Sequence, residues 1–151
     1  MSLNTYFISL AQPKDLAAIY TLQSEAGFNH WSESHIAKLI DNETLLVCWN
    51  ETQGELKGFL FFSVVVGEAE LLNIVVNPEC RKQGIAMAML SYFIQHLQAL
   101  KANMLFLEVA ETNVAALALY KKCQFKQVGI RKNYYKQAEY SINALLLSLM
   151  L

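Results

Sequence analysis

Charge is scarce in this 151-residue chain: 17% of the residues are Asp, Glu, Lys or Arg, and 12 basic against 13 acidic residues leave a net charge of -1. That balance supplies no general cationic field, so neither nucleic acid nor a membrane surface is an expected partner, although a local basic patch stays open. Proline is scarcer still, confined to Pro13 and Pro78. No Pro/Gly/Ser-rich linker, internal repeat or low-complexity tract divides the chain, which argues against tandem domains. The three cysteines, Cys48, Cys80 and Cys123, are odd in number, far apart and without a Cys-x-x-Cys. They fit a reducing compartment better than a disulfide framework. Long apolar runs are missing too, since Phe59 to Val66 and Ala144 to Leu151 fall short of the roughly 20 residues that cross a bilayer. Met1-Ser2-Leu3-Asn4 puts no positive charge ahead of an apolar stretch, so no secretory signal is read there. The expectation is one soluble, cytoplasmic domain over residues 1–151.

What the chain does have is apolar side chains, 54% of the total, enough for a sizeable core and too many for intrinsic disorder. Their spacing sorts the segments. Pro13-Lys14-Asp15 opens a helix carrying Leu16, Ile19, Tyr20 and Leu22 and ending near Gly27. Ser32 reads as the N-cap of a short helix with Ile36, Leu39 and Ile40. Three strand-like runs follow: Thr44 to Trp49, a turn at Glu51-Thr52-Gln53-Gly54, Leu56 to Val66, a turn near Gly67, then Glu70 to Asn77. The turns are short enough for antiparallel hairpins. From Gly84 the period becomes helical, with Ile85, Met89, Phe93, His96, Leu97 and Leu100 on one face and Ser91, Gln95 and Gln98 opposite. Met104 to Val109 is a strand, Asn113 caps a helix to about Lys122, and strand-like runs at Phe125 to Tyr134 and Ile142 to Met150 close the order. The pattern predicts an α/β fold: a mixed, mostly antiparallel sheet with helices on both faces.

The stretch from Leu72 to Leu90 carries a chemical suggestion. A strand ending Ile74-Val75-Val76 meets Asn77-Pro78 and then Arg81-Lys82-Gln83-Gly84-Ile85-Ala86, which opens a helix. The first amides of a helix and its dipole favour a pyrophosphate. Gly84 would let the backbone approach closely, Ala86 would keep the next turn uncluttered, and Arg81 and Lys82 would add charge. A lone glycine in a basic turn is also just a turn; there is no Gly-x-Gly-x-x-Gly and no Gly-Lys-Ser/Thr. Further on, Glu108 interrupts an apolar strand, facing opposite to Leu107 and Val109. Asn113 and Tyr120 are seven residues apart, nearly one helical face. Taken singly these are a solvated glutamate, a capping asparagine and a half-buried core tyrosine.

Taken together they resemble the GNAT acetyltransferase superfamily, whose acetyl-CoA pyrophosphate motif Arg81-x-x-Gly84-x-Ala86 looks like. The chain more particularly resembles bacterial RimI-type N-acetyltransferases, which acetylate the N-terminal alanine of a ribosomal protein. The resemblance rests on His30-Trp31-Ser32-Glu33, Leu72 to Val76, Gln83 to Ala86, Leu107-Glu108-Val109, Thr112-Asn113-x-Ala115-Ala116-x-Ala118-Leu119-Tyr120 and Arg131-Lys132-Asn133-Tyr134-Tyr135. It implies the GNAT fold, with acetyl-CoA as co-substrate and a protein N-terminus as acceptor. Ile74, Val75 and Val76 would pair with the pantetheine arm on a strand that splays from its neighbour. Lys82, Gln83, Gly84, Ile85, Ala86 and Met87 would hold the pyrophosphate, with Asn113 contacting the cofactor arm. Glu108 would be general base, directly or through water, and Tyr120 general acid to the leaving thiolate. Tyr134 and Tyr135 would grip the peptide.

The reaction needs such groups. A neutral amine must attack, and at pH 7 freeing a lysine amine costs about 3 kcal/mol more than freeing an α-amine. One carboxylate is therefore a reasonable base for an N-terminal substrate, and no protein nucleophile is required. Within the fold, a small-molecule amine, a polyamine or a lysine side chain is the alternative acceptor. A non-catalytic CoA-binding module is a further alternative that Glu108 and Tyr120 argue against. The chain also departs from the family pattern. Ala110-Glu111 stands for the usual Arg-Ala, Gln124 for a glycine after the Tyr120 helix, and Lys136 to Asn143 lacks the usual glycine turn and Glu-Asp pair. These changes lie towards the substrate side.

Other signals are weaker. His30 and His35 lack metal-ligand spacing, so no metal is expected. His96 reads as a packed histidine. Cys80 and Cys123 read as buried or incidental thiols, and no Gly-x-Ser-x-Gly supports a serine hydrolase. The apolar Ala144 to Leu151 run reads as a buried last strand, with exchange into a second subunit as the alternative. A monomer is favoured over a homodimer.

Overall fold

A computed structural model describes residues 5–27, 31–51, 54–136 and 138–151. Met1 to Asn4, His30, Thr52, Gln53 and Gln137, on which parts of the sequence reading fell, lie outside the described residues. The elements are β1 (Tyr6–Leu10), α1 (Leu16–Glu25), α2 (Glu33–Asp41), β2 (Leu45–Asn50), β3 (Glu55–Val65) and β4 (Glu68–Val76), then α3 (Ile85–Ala99), β5 (Met104–Ala110), α4 (Val114–Lys122), β6 (Lys126–Lys136) and β7 (Ser141–Met150). The strands hydrogen-bond in the order β1-β2-β3-β4-β5-β7-β6. The sheet is mixed: β4 and β5 run parallel, whereas β1–β2, β2–β3, β5–β7 and β6–β7 run antiparallel.

Three elements correct the sequence reading. The strand β1 is additional; its five residues show no clean alternation of burial, and it is made by pairing with β2 from Tyr6–Asn50 to Leu10–Leu46. Leu100, expected on the buried face of α3, is 54% exposed because the helix stops at Ala99. Pro13–Asp15, expected to open the first helix, form a 3-10 turn ahead of α1, which starts at Leu16; the other boundaries agree to within about two residues.

The chain forms two compact units, Met1–Phe62 with Asn73–His96, and Ser63–Leu72 with Leu97–Leu151. In the first, Ile19 and Leu22 of α1 and Ile36, Leu39 and Ile40 of α2 pack on Leu45, Val47, Leu56 and Phe59, all buried. Full burial of one such side chain is worth roughly 1.5–3 kcal/mol. Ser32 caps α2 as expected, accepting the His35 N–H at 3.1 Å. The buried Gln23 amide is satisfied at both ends by Trp31: its Nε2 donates to the Trp31 carbonyl at 2.8 Å and its Oε1 accepts the Trp31 N–H at 2.9 Å. Trp31 is thereby held edge-on to Phe61, 5.0 Å between ring centroids. Met89, Leu90 and Phe93 bury the inner face of α3, and His96 packs against Phe62.

In the second unit, Val66 and Gly67, both at positive φ, close the β3–β4 turn. Positive φ at both central residues is the geometry of the tight hairpin turns that match strand twist. Leu105, Leu107 and Val109 of β5 are buried, and Met104, Phe106, Glu108 and Ala110 on its other face are partly exposed. The apolar last strand β7 pairs with β5 on one side and β6 on the other, within the same chain.

Candidate active site

In the first unit, β4 delivers the chain into a basic turn. The Asn77 N–H donates to the Lys57 carbonyl at 2.8 Å, and its Oδ1 accepts the Glu79 N–H at 3.0 Å. Arg81, Lys82, Gln83 and Gly84 are exposed, and Ile85 is buried as the first residue of α3. Lys82 and Gly84 both have positive φ, +62° and +81°, the kind of backbone from which anion-binding nests are made. A Cβ at Gly84 would meet no atom within 4 Å. The glycine is therefore required by its left-handed backbone and not by close packing within the protein, and the space beside it is open. The Ala88 N–H donates to the Gly84 carbonyl at 3.0 Å, which sets Gly84 at the opening turn of α3. Two exposed cations, a helix N-terminus and an uncluttered turn fit a pyrophosphate. Of Ile74, Val75 and Val76, Val75 is buried and its neighbours are partly exposed; Ala86 and Met87 are partly buried. Gly58, which the sequence did not single out, lets β3 lie close to Val75 and Met89. A Cβ there would stand 2.6 Å from the Val75 carbonyl oxygen and 2.8 Å from Met89 Cε.

In the second unit, the parallel β4–β5 ladder runs from Glu68–Met104 to Leu71–Leu107 and stops. Glu108 is the next residue of β5, which continues against β7 to Ala110–Ala144. Directly paired residues share a face of a sheet. Glu108 pairs with Leu146 and Leu146 with Gly129; Ala110 pairs with Ala144 and Ala144 with Arg131; Ile142 pairs with Tyr135. Glu108, Arg131 and Tyr135 therefore stand on one face, with small Ala110 and Ala144 between them. Arg131 Nε reaches Glu108 Oε1 at 3.0 Å, the carboxylate side chain being 21% exposed and the arginine 55%. The Arg131 guanidinium carbon lies 5.4 Å from the Tyr134 ring centre, a cation–π distance. Tyr134 and Tyr135 meet edge to face, 5.1 Å between centroids. Partial burial, with the charge of Glu108, raises the Tyr135 phenol above the usual tyrosine range.

Asn113 caps α4, its Oδ1 accepting the Ala116 N–H at 3.2 Å. Tyr120 is buried against Phe125, and burial pushes its phenol up to about 12. It keeps its proton throughout the neutral range. Among the described residues, no hydrogen bond or ion pair links Tyr120 to Glu108. Of the sequence candidates, Glu108, Tyr134 and Tyr135 are thus brought together. Arg131, which sequence reasoning assigned no role, joins them through register, a signal readable only once β5, β7 and β6 are aligned. Burial also raises the thiols, Cys48 to about 11 and Cys123 upward.

Residues 16–125 match the Acetyltransferase (GNAT) family. The ribosomal protein bS18-alanine N-acetyltransferase of Escherichia coli strain K12 is 34% identical over 142 residues, 94% of this chain and 95% of that protein. The enzyme of the same name from Salmonella typhimurium is 31% identical over 142 residues, with the same coverage. The crystal structure of the ribosomal-protein-S18-alanine N-acetyltransferase from Escherichia coli superposes with a TM-score of 0.84 at 32% identity, covering 97% of this chain and 94% of that one.

Proposed function

The chain belongs to the GNAT acetyltransferase family, and on that premise we propose that it moves the acetyl group of acetyl-CoA onto the α-amine of a protein N-terminus. The N-terminal alanine of a ribosomal protein is the favoured acceptor. The observation that carries this reading is Glu108: a partly buried carboxylate on the first residue of β5 beyond the last β4 rung, sharing its face with Arg131 and Tyr135. A carboxylate, a cation and the Tyr135 phenol on one face, with Tyr134 beside the cation, suit a peptide's charged amine and polar backbone. The reaction is assigned to the cytoplasm and to the single domain 1–151, acting as a monomer.

Bound acetyl-CoA would supply an activated thioester carbonyl. The α3 amides, Arg81 and Lys82 would hold its pyrophosphate, Ile74 to Val76 its pantetheine arm, and Asn113 would contact that arm. Glu108 removes a proton from the acceptor ammonium, directly or through one water. Arg131 offsets the carboxylate charge until the substrate ammonium takes that place. Tyr120, protonated at neutral pH, donates to the departing sulfur. Tyr134 and Tyr135 grip the peptide backbone.

Release of CoA from acetyl-CoA, measured with free-N-terminus peptides beside N-blocked lysine peptides and polyamines, tests the acceptor class, with mass spectrometry locating the acetyl group. Transfer confined to N-terminal alanine or serine is expected. Transfer to lysine or polyamines instead would overturn the acceptor, and acetyl-CoA binding without any transfer would favour a binding module.

A further inference from the structure

Two residues from stretches in which the chain departs from its family's pattern meet in space: Glu111, the first residue beyond β5, and Asn143 of β7. The Glu111 carboxylate accepts from both nitrogens of Asn143: Oε1 from the backbone N–H at 3.2 Å and Oε2 from side-chain Nδ2 at 3.3 Å. Glu111 also donates its own N–H to the Asn143 carbonyl at 3.0 Å. The far end of Asn143 is occupied as well. Its Oδ1 accepts the Asn133 N–H at 2.9 Å, and Asn133 Oδ1 accepts the Ser141 hydroxyl at 2.6 Å.

The consequence falls on β6. Arg131 pairs with Ala144 and Tyr135 with Ile142, so residues 132–134 bulge opposite Asn143 alone. Asn133 sits in that bulge at φ +58°, a left-handed state that Asn tolerates better than most residues. A bulge leaves backbone groups without ladder partners, and the Asn143 side chain replaces the missing partner of Asn133. Glu111 decides which way that side chain points. A carboxylate only accepts, so the amide must turn its NH2 towards Glu111 and its oxygen towards Asn133. The bulge so fixed carries Tyr134 and follows Arg131, the partner of Glu108.

We propose that Glu111 is a positioning residue for the acceptor. Through the orientation of Asn143 it sets the β6 bulge, and with it Tyr134 and Arg131, while taking no part in proton transfer. The proposal rests on the acceptor reading above for the site it serves, not for the contact itself.

A donor–acceptor exchange tests it. Glu111→Gln sets an NH2 against the Asn143 NH2, and Asn143→Asp sets carboxylate against carboxylate. The double variant restores one donor and one acceptor at the same place with the same net charge. Each single change is expected to raise the acceptor KM about tenfold, the loss of one charge-assisted hydrogen bond, leaving the acetyl-CoA KM and the pH dependence of kcat unmoved. The double variant is expected to return the acceptor KM towards wild type. Amide hydrogen exchange at Asn133 should quicken in Glu111→Gln, where nothing holds the Asn143 oxygen towards Asn133, and slow again in the double, while Asn143→Asp keeps an oxygen for that N–H. Wild-type acceptor KM in both single variants, or a double variant no better than either, would overturn the proposal. The series is run on whichever amine the wild-type enzyme acetylates, so a wrong acceptor class shows in the wild type and a wrong clamp in the variants. Unchanged protection of Asn133 in Glu111→Gln would overturn it whatever the acceptor.

Discussion

Arg131 and Glu108 form an ion pair across two strand boundaries, Nε to Oε1 at 3.0 Å, with β7 between their strands. Arg131 also sits near the Tyr134 ring, so it contributes a planar, stacked cation that lysine does not reproduce. Arg131→Lys should lower kcat/KM for the acceptor severalfold and Arg131→Met by about tenfold or more, with acetyl-CoA binding unchanged. Steady-state kinetics against both substrates checks this. An unaltered Arg131→Met enzyme would leave the ion pair without a role in turnover.

Glu108→Gln keeps the shape of the side chain and removes the proposed base. Turnover should fall by roughly 100-fold or more and the pH–rate profile should change form. An unmoved profile would assign the base to another group.

Tyr120→Phe should leave acetyl-CoA binding nearly intact and lower turnover by roughly 100-fold. The same variant tests the buried phenol's effect on stability. Because burial raises Tyr120 from its ordinary 10 to about 12, the folded protein holds this proton where the unfolded chain loses it. Its contribution is fully present below pH 10 and is lost as pH rises towards 12. Urea melts across that window should show a shallower alkaline decline in Tyr120→Phe than in wild type.

Gln124, in the glycine position of the family pattern, has φ +68° just beyond α4. A side chain in that conformation costs about 1 kcal/mol or slightly more relative to glycine. Gln124→Gly should raise Tm by roughly 2–4 °C in a chain of this size. A lower Tm would mean that the glutamine side chain makes contacts outweighing the strain.

Much of this was legible from periodicity. The buried face of α3, the Asn113 cap and the alternation on β5 follow from side chains whose neighbours in space are also neighbours in sequence. The strand β1 was not, because its apolar residues do not alternate and its partner lies some 40 residues away. Glu111 and Asn143 were visible as departures but not as partners, since 32 residues separate them and only strand register brings them together. The same holds for Arg131 and Glu108. Local spacing finds helices, caps and turns; side-chain pairs on a sheet belong to the alignment of strands, which no single segment encodes.

The placement of β7 between β5 and β6 also has a consequence for the order of assembly. Strands β5 and β6 are not neighbours in the sheet; each waits for a segment that follows both in the chain. Until residues 141–150 arrive, both would present unpaired edges, the usual templates for intermolecular association. The face bearing Glu108, Arg131 and Tyr135 then takes shape in a late, long-range step, the slow kind in topologies rich in distant contacts. A chain cut ahead of β7 would lose more than a terminal strand: Glu108, Arg131 and Tyr135 would not be aligned on one face, and the chain would be prone to aggregate.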